Sequence, residues 1–220
     1  MITHAWARIE AVLAEVLPES AGKLAGPADP AAVDAAEAAL GLTLPEDFRA
    51  SLMVHDGTEW GMPQPVPLDS LYSAAGIVDG TRMWRANAAD DPQFDSPGAW
   101  AYLIDTAFLS VTGPVLPRMD ADGRRVVVGD MNGDIWWFLD LVPAPGGTVG
   151  QVVRVDIECA SWDVLAPSWE QLLIRYAEDL ERSALTIDET GPSCEWGEAP
   201  GYPAPRPAWL RDVVAVSPYP

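Results

Sequence analysis

The chain has 220 residues, 49% of them hydrophobic, and 33 acidic against 13 basic side chains give it a net charge of −20. That length suits one domain with or without an appendage and is enough to bury a full core. So negative a field disfavours phosphate backbones and anionic membrane surfaces and attracts basic proteins, although it is also an ordinary route to solubility.

No stretch is long and apolar enough to span a bilayer. Met1 to Arg8 alternates at helical spacing instead of placing a basic region before an apolar core, so no signal peptide is expected. Cys159 and Cys194 make no disulfide framework, and reduced thiols in a cytoplasmic protein are the expectation.

In chain order, Trp6, Ile9, Leu13 and Val16 or Leu17 share one helical face, which Pro18 ends. Asp29-Pro30 suits an N-cap followed by the first helical position. Val33, Glu37 and Leu40 then form a stripe that Gly41 stops. Thr43 and Glu46 have capping-box spacing, and Leu44 before Pro45 is the alternative cap. Phe48, Leu52 and Met53 supply the next buried stripe. That helix is expected to run into His55-Asp56-Gly57, with Asp56-Gly57 terminating it. Pro63 to Pro67 reads as an extended loop, and Ser73 as the N-cap of a helix through Ile77, Val78, Met83 and Trp84, which Gly76 and Gly80 weaken. Asp90 to Gly98 reads as an acidic loop, Ala99 to Ile104 and Arg124 to Val128 as strands, and Trp162 to Leu165 as a short edge strand. Ser168 and Gln171 form a second capping box, opening a helix whose face is Trp169, Leu172, Leu173, Tyr176 and Leu180.

The chain is organised around Ile135 to Val155. Ile135 to Leu141 is β-branched and aromatic, Pro143 to Gly147 must turn, and Gln151 to Val155 alternates as a strand with one buried face. These segments predict an antiparallel hairpin in the middle of a sheet. Phe48, Leu52, Trp137, Leu139, Val152, Val153, Trp169, Leu173 and Tyr176 are expected to share one core. After Ile187 the composition changes: Thr190 to Pro207 is rich in Pro, Gly and Ser. The division expected is a domain over residues 1–185 and an extension over 186–220.

Residues for chemistry are few. His4 lies in the first helix, and His55 is read as capping the last carbonyls of its own helix. No nucleophile elbow, Walker loop, dinucleotide-binding glycine pattern or HExxH is present. Asp120 to Gly123 and Asp130 to Asp134 resemble pieces of calcium loops, but position 12 falls on Met131 or Leu141, so turns are the better reading. No catalytic residue, metal site or cofactor is therefore expected. Most tryptophans sit on helical stripes or strands, whereas Trp60 and Trp196 lie in loops and suit a contact surface.

Three blocks together resemble a known family. They are Glu37-Ala38-Ala39-Leu40-Gly41-Leu42-Thr43-Leu44-Pro45-Glu46-Asp47-Phe48-Arg49 running on to His55-Asp56-Gly57, then Leu139 to Val152, then Ala166-Pro167-Ser168-Trp169 and its helix. In that order, over about residues 1 to 184, the chain resembles the SUKH superfamily, the Smi/Knr-like group of fungal cell-wall assembly regulators and bacterial toxin-immunity proteins. The resemblance implies an α+β fold, with a largely antiparallel central sheet flanked by N-terminal helices and a long C-terminal helix. It implies no catalytic activity. It points to an immunity protein that binds and neutralises a cognate toxin with a basic surface, nuclease-type toxins among them. The alternative is a regulator or scaffold of the cell-wall type without a toxin partner. In either case a protein partner is expected, with neither nucleic acid nor membrane. The expected contact residues are Glu59, Trp60, Asp90, Asp91, Asp95, Asp130 and Asp134: acidic loop positions that would steer a basic partner, and one aromatic anchor.

Overall fold

In a computed structural model the described residues are 1–68, 70–90, 102–103, 105–106, 108–119, 123–182, 186–188 and 191–193. Four helices come first: α1 (Ile2–Val16), α2 (Pro18–Ala21), α3 (Pro30–Leu40) and α4 (Glu46–Leu52). Then follow β1 (Ser70–Leu71), α5 (Ala74–Asp90), β2 (Ser110–Thr112), β3 (Arg125–Met131), β4 (Ile135–Asp140), β5 (Gln151–Asp156), β6 (Ser161–Ala166) and α6 (Trp169–Glu181). Six strands form one sheet in the order β1-β3-β4-β5-β6-β2, antiparallel except where β2 pairs with β6. The α+β expectation holds. A separate two-stranded hairpin pairs β7 (Thr186–Asp188) with β8 (Gly191–Ser193). The expected strand Ala99–Ile104 is not formed where it is described, because Tyr102 and Leu103 are helical.

The predicted hairpin is the middle of the sheet. β4 pairs with β5 from Ile135↔Asp156 to Asp140↔Gln151. β3 reaches β4 through the turn Asn132 to Asp134, in which Asn132 and Gly133 have left-handed φ of 59° and 74° and Met131 pairs with Ile135. The expectation of a single core is corrected. Val126, Val128, Trp137, Leu139, Val152 and Leu165 face the helices with Trp6, Phe48, Trp169 and Tyr176. Val127, Trp136, Phe138, Val153, Val155, Trp162 and Val164 face a second cluster with Trp84, Leu109 and Val115. Successive strand residues point to opposite faces, so the unbroken apolar run of β4 fills both. Val153 thus belongs to the second cluster. The polar member of the supposed alternation, Gln151, is fully buried and bonded to Asp140 and to the Pro114 carbonyl. β6 is not an edge, because β2 lies outside it.

Local signals set most helix ends. Asp29 accepts from the Ala31 N–H at 2.9 Å, Pro30 opens α3, and Gly41 closes it at φ 69°. Ser168 accepts from the Gln171 N–H as expected. The start of α4 is corrected: Pro45 occupies the cap, and neither Thr43 nor Leu44 does. Asp47 binds the N–H groups of Phe48 (2.8 Å) and Glu170 (2.9 Å), joining the first turns of α4 and α6. Glu37 is half-buried and structural, accepting from the Leu44 N–H and from Arg49, both at 2.8 Å. α4 ends at Leu52, short of Asp56. Asp56 instead accepts from the Ala74 N–H (2.7 Å) at the start of α5, where Ser73 also accepts from the Gly76 N–H.

Candidate functional site

The sequence-predicted contact residues divide into three groups. Glu59 and Trp60 stand on a braced loop. The Thr58 N–H donates to the Leu71 carbonyl at 2.8 Å and the Glu59 N–H to the Lys23 carbonyl at 2.8 Å. Buried Gln64 donates from Nε2 to the carbonyls of Glu59 (3.1 Å) and Gly61 (2.6 Å). Tyr176 donates to the Pro65 carbonyl at 2.7 Å. Pro63, Gln64, Pro65 and Val66 are buried beneath the loop, while the Trp60 side chain is 87% exposed. An aromatic ring presented on a backbone already fixed loses little further freedom on binding, which is what a contact anchor requires.

Asp130 and Asp134 flank the β3–β4 turn. Asp130 accepts from Tyr72 Oη (2.9 Å) and from the Gly133 N–H (2.9 Å), so one carboxylate closes the turn and holds the ring packed over α5. Burial, and then the Asp130 charge, push the Tyr72 phenol well above its ordinary pKa. Ser70 pairs with Asp130, and Gly57 and Thr58 lie against Leu71 to Ser73, so the Glu59 loop and this turn flank the same strand. Asp90 ends α5 and is not a loop residue, because the helix continues through it. Asp91, Asp95 and Trp196 lie outside the described residues.

The β5–β6 turn carries a second acidic group. Arg154 contacts Asp156 at 2.8 Å and Asp163 at 3.7 Å. Burial raises the Asp156 pKa, but the Cys159 N–H and the Arg154 guanidinium outweigh it and hold the carboxyl below its ordinary range. At Asp163 burial prevails over the bonds from Thr112 and Ser161, and the pKa is raised. The nearby Asp156 charge, with some burial, raises the Cys159 thiol. Two exposed apolar residues here, Phe108 and Ile157, were not singled out in the sequence. Residue type alone does not tell a buried Phe beside a strand from an exposed one.

At the opposite end of the sheet a cleft of about 700 Å³ is lined by Thr43, Pro45, Glu46, Asp47, Leu141, Val149, Ser168 and Glu170, among others. All three blocks that carry the family resemblance contribute to it. Three of its polar residues are already engaged: both Asp47 oxygens accept backbone N–H groups, Ser168 caps α6, and Glu170 pairs with the Met1 amino group. His55 does not cap its own helix. Its Nδ1 meets the Ala25 carbonyl at 2.7 Å, its Nε2 meets Glu10 at 2.8 Å, and its ring stands edge-on to Trp6. Among the described residues no three His, Cys, Asp or Glu side chains converge as a metal site, and no helix is long and apolar enough to cross a membrane.

A family model, the SMI1 / KNR4 family (SUKH-1), matches residues 27–175. The chain belongs to the SMI1/KNR4 family. That span contains every strand of the six-stranded sheet, the first two resemblance blocks, and the third as far as the first half of α6. A fission-yeast relative, the "Cell wall biosynthesis/cell cycle regulator smi1" of Schizosaccharomyces pombe, is 30% identical over 94% of the chain. A "Glucan synthesis regulatory protein" of Neurospora crassa is 25% identical over 86%. The chain covers only 41% and 40% of these SMI1/KNR4 relatives' own lengths.

Proposed function

We propose that this SMI1/KNR4 protein is a non-enzymatic regulatory module that binds a protein partner in the control of cell-wall or glucan synthesis. The observation that carries the proposal is the 30% identity, over nearly the whole chain, to a fungal protein named as a cell-wall biosynthesis regulator. Both fungal relatives bear regulator names, which favours this reading over neutralisation of a cognate toxin. The engagement of His55, Asp47 and Ser168 in structural hydrogen bonds supports binding over catalysis. The negative charge favours a basic protein partner over nucleic acid or an anionic membrane, and the braced Trp60 with neighbouring Glu59 and Asp130 is a suitable contact.

Deleting the gene in the organism that encodes it tests the reading. The expected result is altered wall glucan and altered resistance to wall-digesting enzymes, restored by the intact gene. An unchanged wall, with the deletion strain killed by the product of an adjacent gene, would support toxin neutralisation instead.

A further inference from the structure

One end of the sheet combines exposed apolar side chains with unbalanced negative charge. The β3–β4 turn, the β5–β6 turn and the entry to β2 all open at this end, because Ile135 pairs with Asp156, Asp156 with Ser161, and Ser161 with Ser110. Backbone bonds hold the three together. The Ile157 N–H donates to the Asp134 carbonyl at 2.8 Å, and the Ser110 N–H to the Ala160 carbonyl at 2.9 Å. Phe108 precedes Leu109, which is buried in the second core, so the chain fixes Phe108 beside the β5–β6 turn while leaving its ring 69% exposed. Ile157 is 49% exposed on that turn.

Residues 108–110, 130–134 and 156–161 hold four carboxylates, Asp130, Asp134, Asp156 and Glu158, and no Lys or Arg. The nearest cation on the strands, Arg154, is already paired with Asp156. An exposed Phe and Ile set among carboxylates fit a segment that brings both apolar and positive side chains. Apolar contact provides affinity, and the charges provide steering and register.

We propose that this sheet end, built by Phe108, Ile157, Asp134 and Glu158, docks a basic segment of a protein partner in which Lys or Arg alternates with aliphatic residues. This inference rests on the reading of the chain as a protein-binding module and adds a docking site for such a partner beyond the Trp60 loop.

The test titrates the ¹⁵N-labelled chain, residues 1–220, with three synthetic peptides: one alternating Lys with Leu, an oligolysine of equal charge, and one alternating Glu with Leu. Amide shifts concentrated at Phe108–Ser110, Asp130–Asp134 and Asp156–Ser161 with the Lys–Leu peptide, and at least tenfold weaker binding of both controls, are expected. The double variant Phe108→Ser with Ile157→Ser should weaken the Lys–Leu peptide at least tenfold at unchanged thermal midpoint. Asp134→Lys with Glu158→Lys should do the same and flatten the salt dependence. A different outcome overturns the proposal: oligolysine binding as tightly as the Lys–Leu peptide, shifts spread over other acidic faces, no binding, or variants that bind like the parent. The wall phenotype of a deletion is independent of these measurements, so failure here would displace the surface without removing the regulatory reading.

Discussion

Trp6 and Trp169 donate their indole N–H groups to the same acceptor, the hydroxyl of Ser51, at 2.8 and 2.9 Å. α1 and α6 are thereby fixed on one oxygen supplied by α4, and all three side chains are buried. Replacing Ser51 with Ala strands two buried donors. Each orphaned donor costs about 1–3 kcal/mol, so Ser51→Ala is expected to lower stability by roughly 2–6 kcal/mol. Urea unfolding at unchanged m-value measures this directly; a loss under 0.5 kcal/mol would mean that water or another acceptor replaces the hydroxyl.

A second buried polar group joins strands. Arg125 Nε lies 3.8 Å from Asp140, and the guanidinium covers the Trp162 ring at 4.7 Å and donates to the Leu116 carbonyl. Asp140 also accepts from the Val142 N–H and from Gln151. These bonds give Asp140 a role in holding the fold together. Asp140→Ala leaves a buried guanidinium without its counter-charge, and breaking such a pair costs about 3–5 kcal/mol. A large drop in thermal midpoint is expected, and a midpoint close to the parent's would refute it.

Gly80 illustrates why propensity misleads in the middle of a helix. An added Cβ there would stand 2.4 Å from Cε2 of Tyr72, whose hydroxyl bonds Asp130. By intrinsic propensity alone, Gly→Ala inside a helix gains about 1 kcal/mol. Gly80→Ala is nevertheless expected to destabilise, by about 1–3 kcal/mol as overpacking does, and to disturb the Tyr72 ring. Near-ultraviolet circular dichroism and denaturant unfolding report the two effects.

Asp163 gives a pH signature. Burial raises its folded-state pKa above the ordinary aspartate value, so its contribution is fully present below about pH 4 and is lost as pH rises through the folded pKa. Asp163→Asn keeps an acceptor for the Ser161 hydroxyl, which lies at 3.0 Å, and removes the buried charge. The variant is expected to be more stable than the parent at pH 7, with the difference shrinking towards pH 4. Melting curves across that range check the sign. A variant less stable than the parent at pH 7 would mean that the Arg154 contact outweighs burial.

The sequence was legible where the governing interaction is short-range. Asp29 with Ala31, Ser168 with Gln171, Gly41 at its left-handed φ, and the Asn132-Gly133 turn all lie within a few residues of what they control. The central hairpin was legible because its two apolar runs flank an obligatory turn. What sequence reading missed depends on distant partners. His55 and Asp56 sit beside a helix end yet bond Glu10, Ala25 and Ala74. The second core was missed because an apolar run such as Ile135 to Leu139 reads alike whether one face or both are buried. β6 looked like an edge because its parallel neighbour β2 is three residues long and lies far away in the chain. Of the residues proposed as contacts, Trp60 has an exposure that was legible from its loop context. The exposure of Phe108 depends on which way its neighbour Leu109 packs.

A domain replacement in fission yeast tests the central claim most directly. The segment of the S. pombe smi1 relative that aligns with this chain would be exchanged for residues 1–220, leaving the rest of that longer protein intact, and wall glucan would be measured in cells carrying only the chimera. The regulatory account predicts glucan content close to that of cells with the native protein, and a clear loss when the chimera carries Asp140→Ala. A chimera that accumulates to native levels yet leaves wall glucan as it is in cells lacking the protein altogether would contradict it.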